Sequence, residues 1–128
     1  MSTKKISNRT LGQKGESIIQ NILQERGFEV IDANVQLGNI GEIDIIAKKD
    51  GVYRFIEVKT TSCKSRQEAT NLPFYNIHSK KQQTLARLAA LWMSKRGRDE
   101  LYQIDAAALI YVIKPNIWMY KIIENISW

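Results

Sequence analysis

Two short runs decide the fold: Gly41-Glu-Ile-Asp-Ile-Ile-Ala47 and Phe55-Ile-Glu-Val-Lys-Thr60, joined across Lys49-Asp50-Gly51. Asp-Gly between alternating, β-branched runs signals a tight hairpin. A two-residue turn at Asp50-Gly51 sets Lys49 against Val52. Counting outward, Asp44 faces Glu57 and Glu42 faces Lys59. Strand side chains alternate, so these four are expected on one face. Ile43, Ile45, Ile56 and Val58 are expected on the other face, as core. Carboxylates held opposite each other repel and weaken a plain sheet. A divalent cation reverses that sign, because hard cations take carboxylate oxygens.

The flanks supply the other elements. Thr10-Leu-Gly-Gln13 has the spacing of a capping box and opens a helix whose apolar stripe is Ile18, Ile19, Ile22 and Leu23, with Gly27 as its stop. Gly12 and Gly15 are poor helix formers and point to close approach to another backbone, or to fraying of the first turns. Phe28 to Asn34 reads as a strand, and Gln36 to Gly41 as a turn-rich link. Residues Thr61 to Ile77 show neither helical nor strand period and read as a long loop, of the kind that is functional or mobile. Ser79 caps a second helix carrying Leu85, Leu88, Ala89 and Trp92, and Gly97 ends it. Asp105 to Ile113 is nearly continuous apolar sequence, as in a buried strand. Pro115-Asn116 turns the chain into an edge strand, Ile117 to Ile122. The expected fold is α/β: a mixed central sheet flanked by helices in the order α-β-β-β-α-β-β.

At 128 residues, with 44% apolar and 25% charged residues, the chain suits one domain with its own core. No apolar run approaches the roughly 18 residues of a membrane span, and no signal-peptide core opens the chain. Cys63 is the only cysteine. These features point to a cytoplasmic protein without a membrane partner. The charge is uneven: 19 Lys and Arg oppose 13 Asp and Glu. Residues 1–15 hold Lys4, Lys5, Arg9 and Lys14 without an acid, and 1–9 read as a flexible basic N-terminus. Residues 79–98 hold Lys80, Lys81, Arg87, Lys95, Arg96 and Arg98, again without an acid. Two positive segments beside a slightly acidic body suit a polyanion, or else merely solvate two helices.

Asp44 and Glu57 are the natural Mg²⁺ or Mn²⁺ ligands, and the Val58 carbonyl can add a third oxygen. A metal-bound water is easier to deprotonate than bulk water. Lys59, two residues beyond Glu57, can steady a phosphoryl oxygen or position the attacking water. Glu16 shares a helix side with Ile19, Gln20 and Leu23 and can reach the sheet as a further carboxylate. Lys81 and Gln82 begin the basic helix, where a phosphate is favoured. The competing reading is a passive sheet, with Glu42 and Lys59 as a cross-strand ion pair and Lys48 and Lys49 keeping the hairpin soluble. His78 is the single histidine and excludes a His-pair metal site. No P-loop and no dinucleotide-binding glycine fingerprint is present.

An acid in one strand, a hairpin, and then Glu57-Val58-Lys59 resemble the PD-(D/E)xK nuclease superfamily, with its restriction-endonuclease-like fold. Ile43-Asp44 stands where that family often shows Pro-Asp. Gly15-Glu16, Gly41 to Ala47, Phe55 to Thr60 and Lys81-Gln82-x-x-Leu85 together resemble the YraN-type predicted endonucleases, which are similar to archaeal Holliday junction resolvases. The resemblance runs from about Leu11 to Ile122. It implies Glu16, Asp44 and Glu57 as metal ligands, Lys59 as the catalytic lysine, Gln82 near the site, and a homodimer where both strands are cut. Thr61 replaces an arginine usual in YraN-type chains, a role open to Lys64 or Arg66. DNA contact is expected from Lys80, Lys81, Gln82 and Arg87, with Lys14 and Lys64. The expected function is a Mg²⁺- or Mn²⁺-dependent DNA endonuclease, with branched DNA such as Holliday junctions as a candidate substrate. The alternatives are a catalytically silent nucleic-acid-binding module of the same fold, or cleavage of RNA by the same chemistry.

Overall fold

The fold is seen in a computed structural model that describes residues 8–70, 79–97 and 99–126. Helix α1 spans Asn8–Glu25, and strands β1 Glu29–Leu37, β2 Gly41–Lys49 and β3 Val52–Ser65 follow. Then come a single helical turn, α2 Arg66–Thr70, the helix α3 Ser79–Lys95, and strands β4 Tyr102–Lys114 and β5 Ile117–Ile123. The strands lie side by side in the order β1-β2-β3-β4-β5. β3 and β4 run parallel and every other pair is antiparallel, so the sheet is mixed. Parallel neighbours need a crossover, which is where α2 and α3 sit. This is the expected α/β architecture, with α2 as an addition.

One helix covers each face. Ile19 and Leu23 of α1 pack on Ile45, Ala47, Ile56, Ala107 and Leu109. Leu85, Leu88, Ala89, Trp92 and Met93 of α3 pack on Ile46, Tyr53, Phe55 and Ile104. A sheet covered on both sides has no solvated face at its centre, which is why β4 is buried from Ile104 to Ile110 without alternation. The C-terminus of α1 closes as a Schellman turn: Phe28 N–H donates to Leu23 O at 2.9 Å and Gly27 N–H to Gln24 O at 3.1 Å, with Gly27 at φ 86°. Asp50 and Gly51 both take positive φ, 53° and 77°, as a two-residue type I′ hairpin requires.

Three expectations need correction. Thr61 to Ser65 are strand, because β4 continues as their parallel partner from Thr61↔Ile110 to Ser65↔Lys114. Ser65 Oγ then accepts from Glu68 N–H at 3.3 Å while Glu68 Oε2 accepts from Lys64 N–H at 3.0 Å, a reciprocal cap that starts α2. The rest of the expected loop, residues 71–78 with His78, lies outside the described residues. Second, β1 runs on to Leu37, leaving only residues 38–40 as the link. Third, Ile43 does not join Ile45 and Ile56 but packs on the α3 side. The cause is local: β1 is bulged between Val30 and Asp32, and Asn34 sits at φ 53°. A left-handed residue breaks the pleat, so Val35, Leu37 and their β2 neighbours turn toward α3. Of the expected flexible N-terminus, Asn8 and Arg9 belong to α1 and residues 1–7 lie outside the described residues.

Candidate active site

The hairpin register is the one read from the sequence as far as it goes: Lys49 pairs with Val52 and Ile45 with Ile56. There the ladder ends. Beyond it, β2 stays paired with β1, where Glu42 faces Gln36, so Glu42 and Lys59 are not ladder partners. Into the opening between β2 and β3 turns the side chain of Asp44. Its Oδ2 accepts the Val58 N–H at 2.8 Å, in place of the missing ladder bond. Asp44 and Glu57 come together across this opening, close enough that the charge of Asp44 raises the Glu57 carboxyl.

Two buried acids held this close favour the neutral form of one of them. Burial, then the charge of Asp44, pushes the Glu57 carboxyl up to about 7, although Lys81 opposes the shift. Burial also raises Asp44, against the pull of the Val58 N–H and Lys81. Lys81 Nζ, from the first turn of α3, lies 3.3 Å from Glu57 Oε1. The other oxygen, Oε2, is buried without a hydrogen-bond partner. A buried carboxylate oxygen without a donor is costly, and so is a pair of acids forced together.

A second pair of acids stands beside the first. Asn34 on β1 reaches both: with its amide nitrogen turned to them, it donates to Glu16 Oε2 and Glu42 Oε1 at 2.9 Å each. Glu16 is half-buried, and burial, then the charges of Asp44 and Glu42, raise its carboxyl, with Asn34 pulling the other way. Gly15 brings this helix in. A Cβ there would run into Thr60 Oγ1 and lie 3.0 Å from Thr60 Cγ2, so only glycine lets α1 approach β3 this closely. The expected close approach at Gly15 is therefore found, whereas a Cβ on Gly12 would meet nothing within 4 Å.

Placement of the remaining candidates is uneven. Lys59 is exposed on β3, two residues past Glu57. Gln82 is half-buried in the first turn of α3, and Arg87 and Lys14 are exposed on their helices. Lys64 is exposed at the far end of β3, next to α2, and the side chain of Lys80 lies outside the described residues. Cys63 is buried, its Sγ donating to Ser65 O at 3.4 Å. Sequence reasoning missed Asn34 altogether. The signal was weak, since an asparagine inside a strand run is recognisable as left-handed only once its neighbours are placed. It also assigned Lys81 to phosphate without seeing its contact with Glu57.

The donor set fits a hard divalent cation. Two carboxyl groups meet, one holds an orphaned buried oxygen, and oxygen is what Mg²⁺ and Mn²⁺ prefer. Among the described residues no three His, Cys, Asp or Glu side chains converge into a ready-made cage. Mg²⁺ does not need one, because it keeps several of its waters and takes one or two carboxylates.

Fold and site together define an α/β protein with a carboxylate pair and an adjacent lysine at the parting of two strands. The sequence matches the family described as "Uncharacterised protein family UPF0102" over residues 15–109, and the chain belongs to that family. It is 35% identical over 123 residues to a UPF0102 protein of Campylobacter lari, covering 96% of this chain and 98% of that one. A UPF0102 protein of Campylobacter fetus is 37% identical over 117 residues, 91% of this chain and 93% of that one. One from Alkaliphilus metalliredigens is 36% identical over 104 residues, 80% and 87% of the two chains. The match begins at Gly15, the residue that seats Glu16 beside the sheet, and takes in both hairpin strands and α3. Among the described residues, no helix is long and apolar enough to cross a membrane.

Proposed function

We propose that this protein is a metal-dependent endonuclease that hydrolyses phosphodiester bonds in DNA, acting in the cytoplasm, with branched DNA as the preferred form. The observation that carries this reading is the meeting of Asp44 and Glu57 in the gap where the β2–β3 ladder stops, with Glu57 Oε2 buried and unpaired. Asp44 and Glu57 would hold Mg²⁺ or Mn²⁺, with the Val58 carbonyl as a further oxygen and Glu16 reaching it through water. When bound, the cation supplies an acidified water and charge neutralisation at phosphorus.

The chain's own groups do the rest. The Val58 N–H fixes one oxygen of Asp44 and would leave the other for the cation. Lys59 follows Glu57 by two positions on β3 and brings an ammonium to the phosphoryl oxygens. Lys81 and Gln82 begin α3, whose first turn contains no acid, so the helix terminus and the lysine both favour an anion. Lys14, Lys64 and Arg87 are exposed and offer further charge to the polyanion backbone. Phosphate contacts carry no sugar preference, so RNA enters the substrate panel beside DNA. Cutting both strands of a junction needs two such sites, which a homodimer supplies.

The test is cleavage of duplex, flap and four-way-junction DNA, and of RNA of the same sequence, with Mg²⁺ or Mn²⁺. Metal-dependent products should appear with the native protein and disappear with Glu57→Ala and Lys59→Ala. Cleavage that survives both substitutions would sink the reading. Salt-sensitive binding without any turnover would instead mark a silent nucleic-acid-binding module.

A further inference from the structure

The position of Lys81 is odd for a residue whose only task is to meet a phosphate. Its Nζ is 3.3 Å from Glu57 Oε1, yet its side chain is 53% exposed. Glu57, by contrast, is 13% exposed and projects from the middle of the sheet. The ion pair therefore joins a fixed buried acid to a long side chain that is free to swing into solvent. Lys81 also lowers the cost of ionising both Asp44 and Glu57. In this arrangement the ammonium does what a metal ion would do at the same carboxylates.

The arrival of a cation changes the balance of charge. Asp44 and Glu57 carry at most two negative charges, which one dication satisfies. The positive charge of Lys81 is then surplus at Glu57 and is repelled by the ion. A nearby phosphate restores the balance, and α3 presents no acid in its first turn to hold the lysine back. We propose that Lys81 is a displaceable counter-ion, seated on Glu57 until a divalent cation binds and then transferred to a phosphate of the nucleic acid. The inference rests on the metal-dependent reading above and adds an order to it: metal loading creates a phosphate contact that the unloaded protein keeps occupied.

The test has two readouts, neither of them cleavage. Calorimetric titration with Mn²⁺ is run on the native protein, Lys81→Met and Lys81→Arg, at a pH well above the range where Glu57 titrates. Lys81→Met should bind Mn²⁺ about fivefold more tightly, as expected for removing a half-exposed ion pair that competes with the metal. Lys81→Arg keeps the charge and should stay near the native value. Binding of a short DNA duplex is then measured against salt, with and without Ca²⁺, a hard cation that seeks the same oxygens. Ca²⁺ should steepen the salt dependence of the native protein by about one phosphate's worth of counter-ion release. Lys81→Met should show no such change. Mn²⁺ affinity that is unaltered or weaker in Lys81→Met, or a Ca²⁺-induced steepening that persists in it, overturns the proposal. If neither the native protein nor Lys81→Met binds Mn²⁺, it is the metal-dependent reading that fails, and this inference with it. Binding by Lys81→Met alone would show Lys81 as a complete block and support the proposal.

Discussion

Replacing Glu57 by Gln should raise stability at neutral pH while removing the metal site. The folded chain pushes the Glu57 carboxyl from 4.5 to about 7, chiefly through burial and the charge of Asp44. A folded-state value above the unfolded one means that folding favours the protonated acid. The corresponding stability is fully present below about pH 4.5 and is lost as pH rises through about 7. At about 1.4 kcal/mol for each pH unit between the two values, the loss reaches about 3–4 kcal/mol at most. Asp44 is raised too, so its contribution runs in the same direction. Gln cannot ionise and is close to the same shape. Urea unfolding from pH 4 to 8, without divalent ions, should therefore show the native protein losing stability relative to Glu57→Gln across this window. Mn²⁺ at about a hundred times its dissociation constant should return about 3 kcal/mol to the native protein at neutral pH and nothing to the variant. Parallel stability–pH profiles for the two proteins would refute the reasoning, since they would show that the two acids do not press on each other.

Other substitutions test the frame around the site. Gly15→Ala should cost about 1–3 kcal/mol despite the better helix former, because Thr60 Oγ1, Cγ2 and Cβ all crowd the new methyl and turning the Thr60 side chain leaves Cβ 3.1 Å away; Gly15→Ala/Thr60→Ala should recover most of the loss in thermal unfolding. Asp44→Asn keeps an acceptor for the Val58 N–H and should leave stability within about 1 kcal/mol of native, whereas Asp44→Ala orphans that donor and should cost about 1–3 kcal/mol; both should lose Mn²⁺ binding by calorimetry. Arg54→Ala should cost about 3–5 kcal/mol in urea unfolding, because Asp105 is wholly buried and loses its cation. Glu124→Ala, at the exposed end of the same cluster, should cost less than about 1 kcal/mol.

The hairpin was legible because its signals are local. Asp-Gly sets the turn, the turn sets the register, and the register brings Asp44 to Glu57 without knowledge of the rest of the chain. The helix stop at Gly27 and the buried run after Asp105 were legible for the same reason. The features that escaped depend on distant partners. Thr61 to Ser65 have the composition of a loop and become strand only because β4 is long enough to pair with them. The cap that starts α2 was written as Ser65-x-x-Glu68 but hidden inside an apparently aperiodic stretch. The face of Ile43 could not be counted by twos, since a left-handed residue on the neighbouring strand resets the count. Lys81 reaches Glu57 through the packing of α3 on the sheet, a matter of three dimensions that its place in a basic segment does not reveal.

The irregularity of β1 has a consequence for the molecule's periphery. β1 and β5 are the two outer strands, each with a row of backbone groups turned away from the sheet. A straight border of that kind invites a stray strand to zip on. The extra residue near Ile31 and the twist at Asn34 make the β1 border crooked, so incoming chains find few evenly spaced partners there. The distortion that swings Asn34 over two acids thus also guards one flank against aggregation, and straightening β1 by design would endanger solubility as well as the site.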